Sequence, residues 1–357
     1  MKKSHDAKAL RDRPILCLAP MADVTDAAFR YIISKYSKFS SPKSDIGRTL
    51  CPTSGFSFVT YTEFVSADGL VLAPEEGRKK LLKDLEYSEI ERPIVAQLFG
   101  SNPENIEKAA KLVAELGFNG IDINMGCPDK SIEKQGAGAS LIKNPKLARE
   151  IIAAAKRGVS QGQTLKCPGP KGLTFEIPIS VKTRLGYNKD ELETWLPELL
   201  AENPAAIIIH ARTRKEMSKA PARWERIKRA VEIRNEMSKG IFDTKTLIIG
   251  NGDVKDVADA VKKCEETGAD GAMLGRTIFG NPWLFSDYKP TQKERIKVLL
   301  EHTKLFEEKL GEIKNFAIMK KHFKEYLKSP DMRNLKFKLI RTETAKEAEN
   351  ILMQFNT

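Results

Sequence analysis

The chain has 357 residues, with 60 Lys and Arg against 48 Asp and Glu for a net charge of +12, and is 41% hydrophobic and 30% charged. That composition describes a soluble globular protein long enough for a barrel of about 250 residues plus an appendage, and it holds no run of the ~18 apolar residues that a membrane span needs. The opening Met1-Lys2-Lys3-Ser4-His5-Asp6 lacks the apolar segment of a secretory signal, and the basic excess points to a polyanionic partner.

Five cysteines, Cys17, Cys51, Cys127, Cys167 and Cys264, are odd in number and form no C-x-x-C. Neither a disulfide framework nor a metal site is therefore expected, and the compartment predicted is the reducing cytoplasm.

In chain order, β-like runs fall at 15–21, 59–66, 93–99, 120–125, 179–184, 205–211, 246–251 and 271–275. Most are near-continuous Val, Ile and Leu, as in strands buried on both faces of a parallel sheet. Helical patterns fall between them at 25–36, at 104–116 after Asn102-Pro103, at 145–157, and at 254–267 after Asp253. Strands alternating with helices predict an α/β fold, a closed (β/α)8 TIM barrel. The alternative, an open doubly wound sheet, is weakened because no G-x-G-x-x-G follows the first strand.

Three stretches, 38–58, 159–176 and 238–245, each lie between a helix and the next strand, at the barrel's bottom, and read as decoration. Cys51 and Cys167 fall there, which removes them as candidates for chemistry. Beyond Pro282-Trp283-Leu284-Phe285 the strand signals stop and amphipathic helices follow at 293–310, 313–327, 334–340 and 345–355. Residues 1–289 are expected to form the barrel domain. Residues 290–357 form a small all-α domain that leans on it, with basic faces that include Lys314, Lys320, Lys321 and Lys324.

The strand ends carry the chemistry. Asn124-Met125-Gly126-Cys127-Pro128 breaks the fourth strand into a turn that holds a thiol at a C-terminal edge, where parallel α/β proteins place their reacting groups. Alone, Cys127 reads as a buried small hydrophobe, the commoner fate of a free cysteine. Its company changes that reading. The first strand ends in Pro20, Met21 and Ala22, small enough for a flat ligand to approach; the third carries Gln97, an amide matched to a ring edge. The fifth strand carries Lys182, costly unless it faces an anion, and the sixth gives His210 and Arg212. Asn251, Gly252 and Asp253 follow the seventh strand and Gly275 and Arg276 the eighth, where such barrels grip a phosphate with backbone N–H groups and a helix start. Together the ends ask for a ligand with one phosphate and a planar hydrogen-bonding ring, which FMN satisfies.

Leu18-Ala19-Pro20-Met21-Ala22-Asp23-Val24-Thr25-Asp26, Gln97-Leu98-Phe99-Gly100, the run from Asp122 to Pro128, Gly136-Ala137-Gly138-Ala139-Ser140-Leu141, Val181-Lys182-Thr183-Arg184, His210-Ala211-Arg212-Thr213, Gly250-Asn251-Gly252-Asp253 and Gly275-Arg276 occur in order. With them the chain resembles the tRNA-dihydrouridine synthases over about residues 15–290, and its tail resembles that family's RNA-binding domain. The resemblance implies FMN held by Pro20, Met21, Ala22, Gln97, Lys182, His210, Asn251, Gly252, Asp253, Gly275 and Arg276. It also implies NADPH or NADH as electron donor, and Cys127 as the acid that protonates uracil C5. The uridine would be extruded from folded tRNA into the barrel of a monomer, with Asn124, Arg184, Arg212, Lys130, Lys320, Lys321 and Lys324 on the substrate side. Lys134, Arg214, Lys215 and Lys219 lie on the same rim. In one loop the chain departs from the family: where members carry Gln, Tyr and Gly before a Trp, it has Glu216-Met217-Ser218-Lys219-Ala220-Pro221-Ala222-Arg223-Trp224. The remaining alternative is an FMN barrel acting on a small pyrimidine-like metabolite, for which the tail would be superfluous.

Overall fold

A computed structural model describes residues 14–38, 58–161, 177–238 and 245–355. Its strands are β1 (Ile15–Leu18), β2 (Thr60–Ser66), β3 (Ile94–Phe99), β4 (Gly120–Met125), β5 (Ile179–Arg184), β6 (Ala206–His210), β7 (Leu247–Asn251) and β8 (Gly271–Leu274). All neighbours pair in parallel in the order β1-β8-β7-β6-β5-β4-β3-β2. A bridge from Cys17 to Val59, with the Leu18 N–H donating to the Val59 carbonyl at 2.9 Å, joins β1 to β2 and makes the sheet a ring. The expected (β/α)8 barrel is the fold observed.

The helices are α1 (Ala27–Lys38), α2 (Ala67–Leu72), α3 (Glu75–Asp84), α4 (Pro103–Glu115), α5 (Lys130–Lys134), α6 (Pro145–Gln161), α7 (Leu192–Leu200), α8 (Trp224–Ser238), α9 (Val257–Thr267), α10 (Gln292–Leu310), α11 (Met319–Tyr326), α12 (Arg333–Ile340) and α13 (Ala345–Phe355). In α4, Pro103 opens the helix, Asn102 accepts from the N–H groups of Glu104 and Asn105, and Ile106, Ala109, Ala110, Val113 and Ala114 form the buried stripe. Helices α2 and α3, between β2 and β3, are not foreseen. The last β2 residue, Ser66, is itself the cap of α2, so no loop residues mark the change. The start of α9 is also displaced: Asp256 caps it, whereas Asp253 has φ +49 and its carboxylate binds two arginines. Of the three stretches read as decoration, α6 takes up 159–161, and most of the rest, with Cys51 and Cys167, lies outside the described residues.

Two apolar layers follow from the ring. Cys17, Tyr61, Val95, Ala206, Ile208, Ile249 and Met273 fill its interior, while the opposite strand faces pack on the helices. The C-terminal helices are present. Within 313–327, Asn315 caps a short 3-10 turn that feeds into α11, in place of one continuous helix. Phe29 of α1 meets His302 of α10 at 4.9 Å and His322 of α11 at 4.6 Å between ring centroids. Lys314, expected on a solvated basic face, is largely buried, with its ammonium 2.5 Å from Glu63 of β2 and 3.3 Å from Asp84 of α3. Among the described residues no helix is long and apolar enough to cross a membrane.

One buried ion pair fixes α1 to the segment before β3. The Arg30 guanidinium donates to Glu91 at 2.7 Å, to the Thr25 carbonyl at 2.9 Å and to the Glu86 carbonyl at 2.6 Å, with Arg30 and Glu91 both 0% exposed. Arg30→Met strands the carboxylate and is expected to destabilise the fold by about 3–5 kcal/mol, with Arg30→Met/Glu91→Leu recovering part of the loss. Urea unfolding of the three proteins checks this, and equal stability of wild type and Arg30→Met would contradict it.

Candidate active site

Side chains alternate along a strand, so the interior residues predict what stands above them. Two positions beyond Val95, Ile208, Ile249 and Met273 come Gln97, His210, Asn251 and Gly275. Asp122 and Ser180, bonded at 2.6 Å, likewise lie one step below Asn124 and Lys182, which pair across β4 and β5. His210 stands beside Asn251 across β6 and β7. A polar layer from five strands therefore tops an apolar barrel.

Cys127 is held by a relay of amides. Asn124 Oδ1 accepts the N–H groups of Gly126 at 3.1 Å and Cys127 at 2.9 Å. Its Nδ2 donates to Gln97 Oε1 at 3.0 Å, and Gln97 Nε2 donates to Asp122 at 2.6 Å. Gly138, at φ +62, closes the turn from behind; a Cβ there would stand 2.8 Å from the Cys127 carbonyl, which accepts the Ala139 N–H at 2.9 Å. Arg184 completes the frame, donating to the carbonyls of Gly126 at 2.7 Å, Thr213 at 3.1 Å and Met217 at 3.0 Å. Asn124 and Arg184, expected on the substrate side, are buried and bonded to the Cys127 turn. Burial pushes the Cys127 thiol up from the ordinary cysteine value, against the lowering effects of the Asp129 N–H, Arg184 and Lys182.

On the other side of the mouth, Lys182 Nζ lies 3.3 Å from Asn251 Oδ1, and Asn251 Nδ2 donates to the Met273 carbonyl at 2.8 Å. No carboxylate among the described residues pairs with Lys182, and burial, with the nearby Arg184, lowers it to about 8. Burial and the surrounding Lys182, Arg184, Arg212 and Arg276 hold His210 neutral. A guanidinium only donates, so at 3.1 Å from Arg212 Nη1 the His210 Nε2 is the acceptor and Nδ1 carries the proton.

Arg212, expected to reach substrate, is 2% exposed and committed to His210, the Ala220 carbonyl and Asp253. The Asp253 carboxylate also takes Arg276 at 3.0 Å and the Ala222 N–H at 2.9 Å, so Arg276 is exposed but already paired. Gly275 leads into a 3-10 turn of only three residues, Arg276–Ile278. Pro20, Met21 and Ala22 follow β1 and are partly or fully exposed there. Trp224 is missed by sequence reasoning: its Nε1 donates to the Gly252 carbonyl at 2.8 Å, and its ring fills the space a Cβ on Gly250 would need, 2.4 Å away. A lone Trp after the loop, with glycines where a buried strand ends, is the signal that could have revealed it.

Of the basic rim, Lys130, Lys134, Lys215 and Lys219 are exposed, whereas Arg214 is bound through Nε and Nη2 to Glu133. On α11, Lys324 is exposed, Lys320 half-buried, and Lys321 lies 3.5 Å from Asp23.

The Lys182 environment makes a pH prediction. Its folded pKa of about 8 lies below the ordinary 10.5, so between these values the unfolded chain holds a proton that the folded chain has given up. The cost of burying the charge is fully present below about pH 8 and is relieved as pH rises toward 10.5. Lys182→Met is expected to be at least as stable as wild type at neutral pH and to lack that rise. Denaturant unfolding at about pH 7 and about pH 10 checks it, and parallel profiles for the two proteins would refute it.

A family model described as dihydrouridine synthase matches residues 17–356. The chain is 35% identical over 348 residues to a probable tRNA-dihydrouridine synthase of Staphylococcus aureus (strain COL), covering 96% of this chain and 93% of that one. It is also 35% identical over 351 residues to probable tRNA-dihydrouridine synthase 2 of Bacillus subtilis (strain 168), covering 96% and 94%. Among solved structures, morphinone reductase is similar at 12% identity with a TM-score of 0.46, over 76% of this chain and 84% of that one. With a family match that runs almost end to end and relatives aligned over nearly their whole lengths, the chain belongs to the dihydrouridine synthase family.

Proposed function

We propose that this protein reduces the C5–C6 bond of uridine in tRNA, with FMN as its resident cofactor, NADPH or NADH as electron source and Cys127 as proton donor. The observation that carries the reading is the placement of Cys127, fixed on the turn that Asn124 holds while Asn124 is itself bonded to Gln97.

The mouth fits FMN by its donor set. Lys182 is a half-buried ammonium bonded to an amide and, among the described residues, paired with no carboxylate, which suits an anionic or electron-rich ring edge. Neutral His210, with its proton on Nδ1, offers a donor without a charge. The backbone around Gly252 and Gly275 offers N–H groups to a phosphate, and Asp253 holds Arg212 and Arg276 beside them. Gln97, Pro20, Met21 and Ala22 would complete the cradle. When bound, FMN supplies a hydride for uracil C6, renewed from the nicotinamide donor.

Every remaining step belongs to the chain. Hydride addition at C6 leaves an electron pair toward C5 and O4, and the Cys127 S–H bond breaks to place its proton on C5. The resulting thiolate faces Lys182 and Arg184, whose charges favour the ionised form, and it regains a proton from water. A thiol kept protonated by burial is a donor in its resting state, which is the form this step requires.

We assign residues 290–357 to RNA binding, with Lys320 and Lys324 one turn apart on α11 and Lys321 beside them. Extruding a uridine costs a few kcal/mol of stacking, which phosphate contacts offset.

Two outcomes follow. Cys127→Ala should purify yellow and oxidise NADPH like wild type, yet form dihydrouridine about 10²–10⁴-fold more slowly. Nucleoside analysis of treated tRNA beside absorbance at the flavin band checks both halves, and a variant as fast as wild type would end the acid assignment. Reversing the charges of Lys320, Lys321 and Lys324 together should weaken tRNA binding and lower the log–log salt slope by about 0.9 for each phosphate no longer neutralised. Unchanged affinity and slope across a salt series would move RNA recognition to the barrel rim.

A further inference from the structure

We propose that Met217, on the loop after β6, is the side chain that enters the RNA stack and occupies the gap left by the extruded uridine. This rests on the reading of RNA as substrate. The first observation is its backbone. Four non-glycine residues among those described have positive φ: Asp23, Asn203, Asp253 and Met217, the last at φ +56. Asp and Asn tolerate that region through local hydrogen bonds; a methionine does not gain from it, and such strain persists only where the surroundings over-determine it.

The second observation is what over-determines it. The Met217 carbonyl accepts from Arg184 Nη1 at 3.0 Å, and Nε of the same guanidinium holds Gly126 at 2.7 Å, immediately before Cys127. Arg214, three residues earlier, is bound by Glu133 of α5, and its guanidinium lies 5.1 Å from the centre of the Tyr187 ring. Glu216 is tied to the Thr213 N–H at 2.6 Å and to Arg223 at 3.0 Å. The loop is therefore anchored to the elements after β4, β5 and β6, and the Met217 carbonyl shares the Arg184 guanidinium with the carbonyl that precedes Cys127.

The third observation is exposure. This rigid backbone presents an apolar side chain that is 42% exposed, flanked by the exposed cations Lys215 and Lys219. Single exposed hydrophobic residues are ordinary. One held in a strained conformation, against the acid's own support and between phosphate-seeking lysines, matches the requirements of a wedge: apolar, preorganised and adjacent to the pocket that receives the base.

The test uses holoenzyme carrying a diazirine analogue of methionine at position 217, with tRNA prepared from cells lacking this gene. Crosslinks and dihydrouridine are mapped separately in the same RNA. Crosslinking within one or two nucleotides of the converted uridine is the expected result, and crosslinking elsewhere, or none while RNA is bound, overturns the proposal. In parallel, Met217→Ala should slow single-turnover dihydrouridine formation about tenfold or more, while flavin reduction and tRNA affinity stay within about twofold. Met217→Leu should restore the rate. Met217→Gly, which relaxes the backbone, should be as slow as Met217→Ala. Wild-type rates for Met217→Ala, or recovery with glycine, would return the residue to a structural role. If wild type forms no dihydrouridine at all, the functional reading falls first and this proposal with it, an outcome recognisable because the crosslink then has no converted uridine to adjoin.

Discussion

Period-two alternation on eight parallel strands is the constraint from which the site follows. Once Val95, Ile208, Ile249 and Met273 are committed to the barrel interior, Gln97, His210, Asn251 and Gly275 have no choice but to stand at its mouth. A slip of one residue in any strand would turn its polar group outward into the helix layer, where an unpaired amide or ammonium is costly. Register and site are thus the same specification, and the apolar layer below enforces it.

Most strands were legible because they are buried on both faces and read as continuous Val, Ile and Leu runs, and the turn at Cys127 was legible because Gly-Cys-Pro cannot continue a strand. The partners of the charged groups were not. Arg212, Asp253 and Arg276 meet across 41 and 23 positions of sequence, and nothing local in them says that the first is buried while the last is exposed. The protein-side bonds of Arg184 and Asn124 were equally hidden: residue type reveals an affinity for carbonyl and amide groups, not which loop supplies them. Trp224 and Gly250 illustrate the converse, a large ring and an absent side chain that make sense only once placed together.

The layout separates support from chemistry. Asp122, Gln97, Asn124 and Arg184 are bonded to one another or to backbone, which fixes the turn that carries Cys127. Burial pushes Asp122 up to about 6 against the lowering effects of Ser180, Gln97 and Lys182, so the relay ends in a carboxyl that is still mostly ionised at neutral pH. Lys182 and His210, in contrast, are left with capacity to spare. Keeping an ammonium there with no directly paired carboxylate among the described residues costs stability, and the cost is tolerable because the barrel around it is closed and well packed.

The tail obeys the same logic at larger scale. His302 and His322 are fully buried with no hydrogen-bond partner on either ring, and burial keeps His322 at about 3 and His302 well below its ordinary value. Both imidazoles are therefore neutral under ordinary conditions and act as flat apolar plates against Phe29. Specificity of docking comes instead from charge: Lys314 enters the site of Glu63, and Lys35 and Tyr36 both reach Glu301. Glu63 also accepts the Asp23 N–H at 2.6 Å, so the ion that anchors the tail also holds the loop after β1, next to Pro20, Met21 and Ala22. Tail position and the geometry of one wall of the mouth are consequently coupled twice, through Lys314 and Glu63 and through Lys321 of α11, 3.5 Å from Asp23 in the same loop.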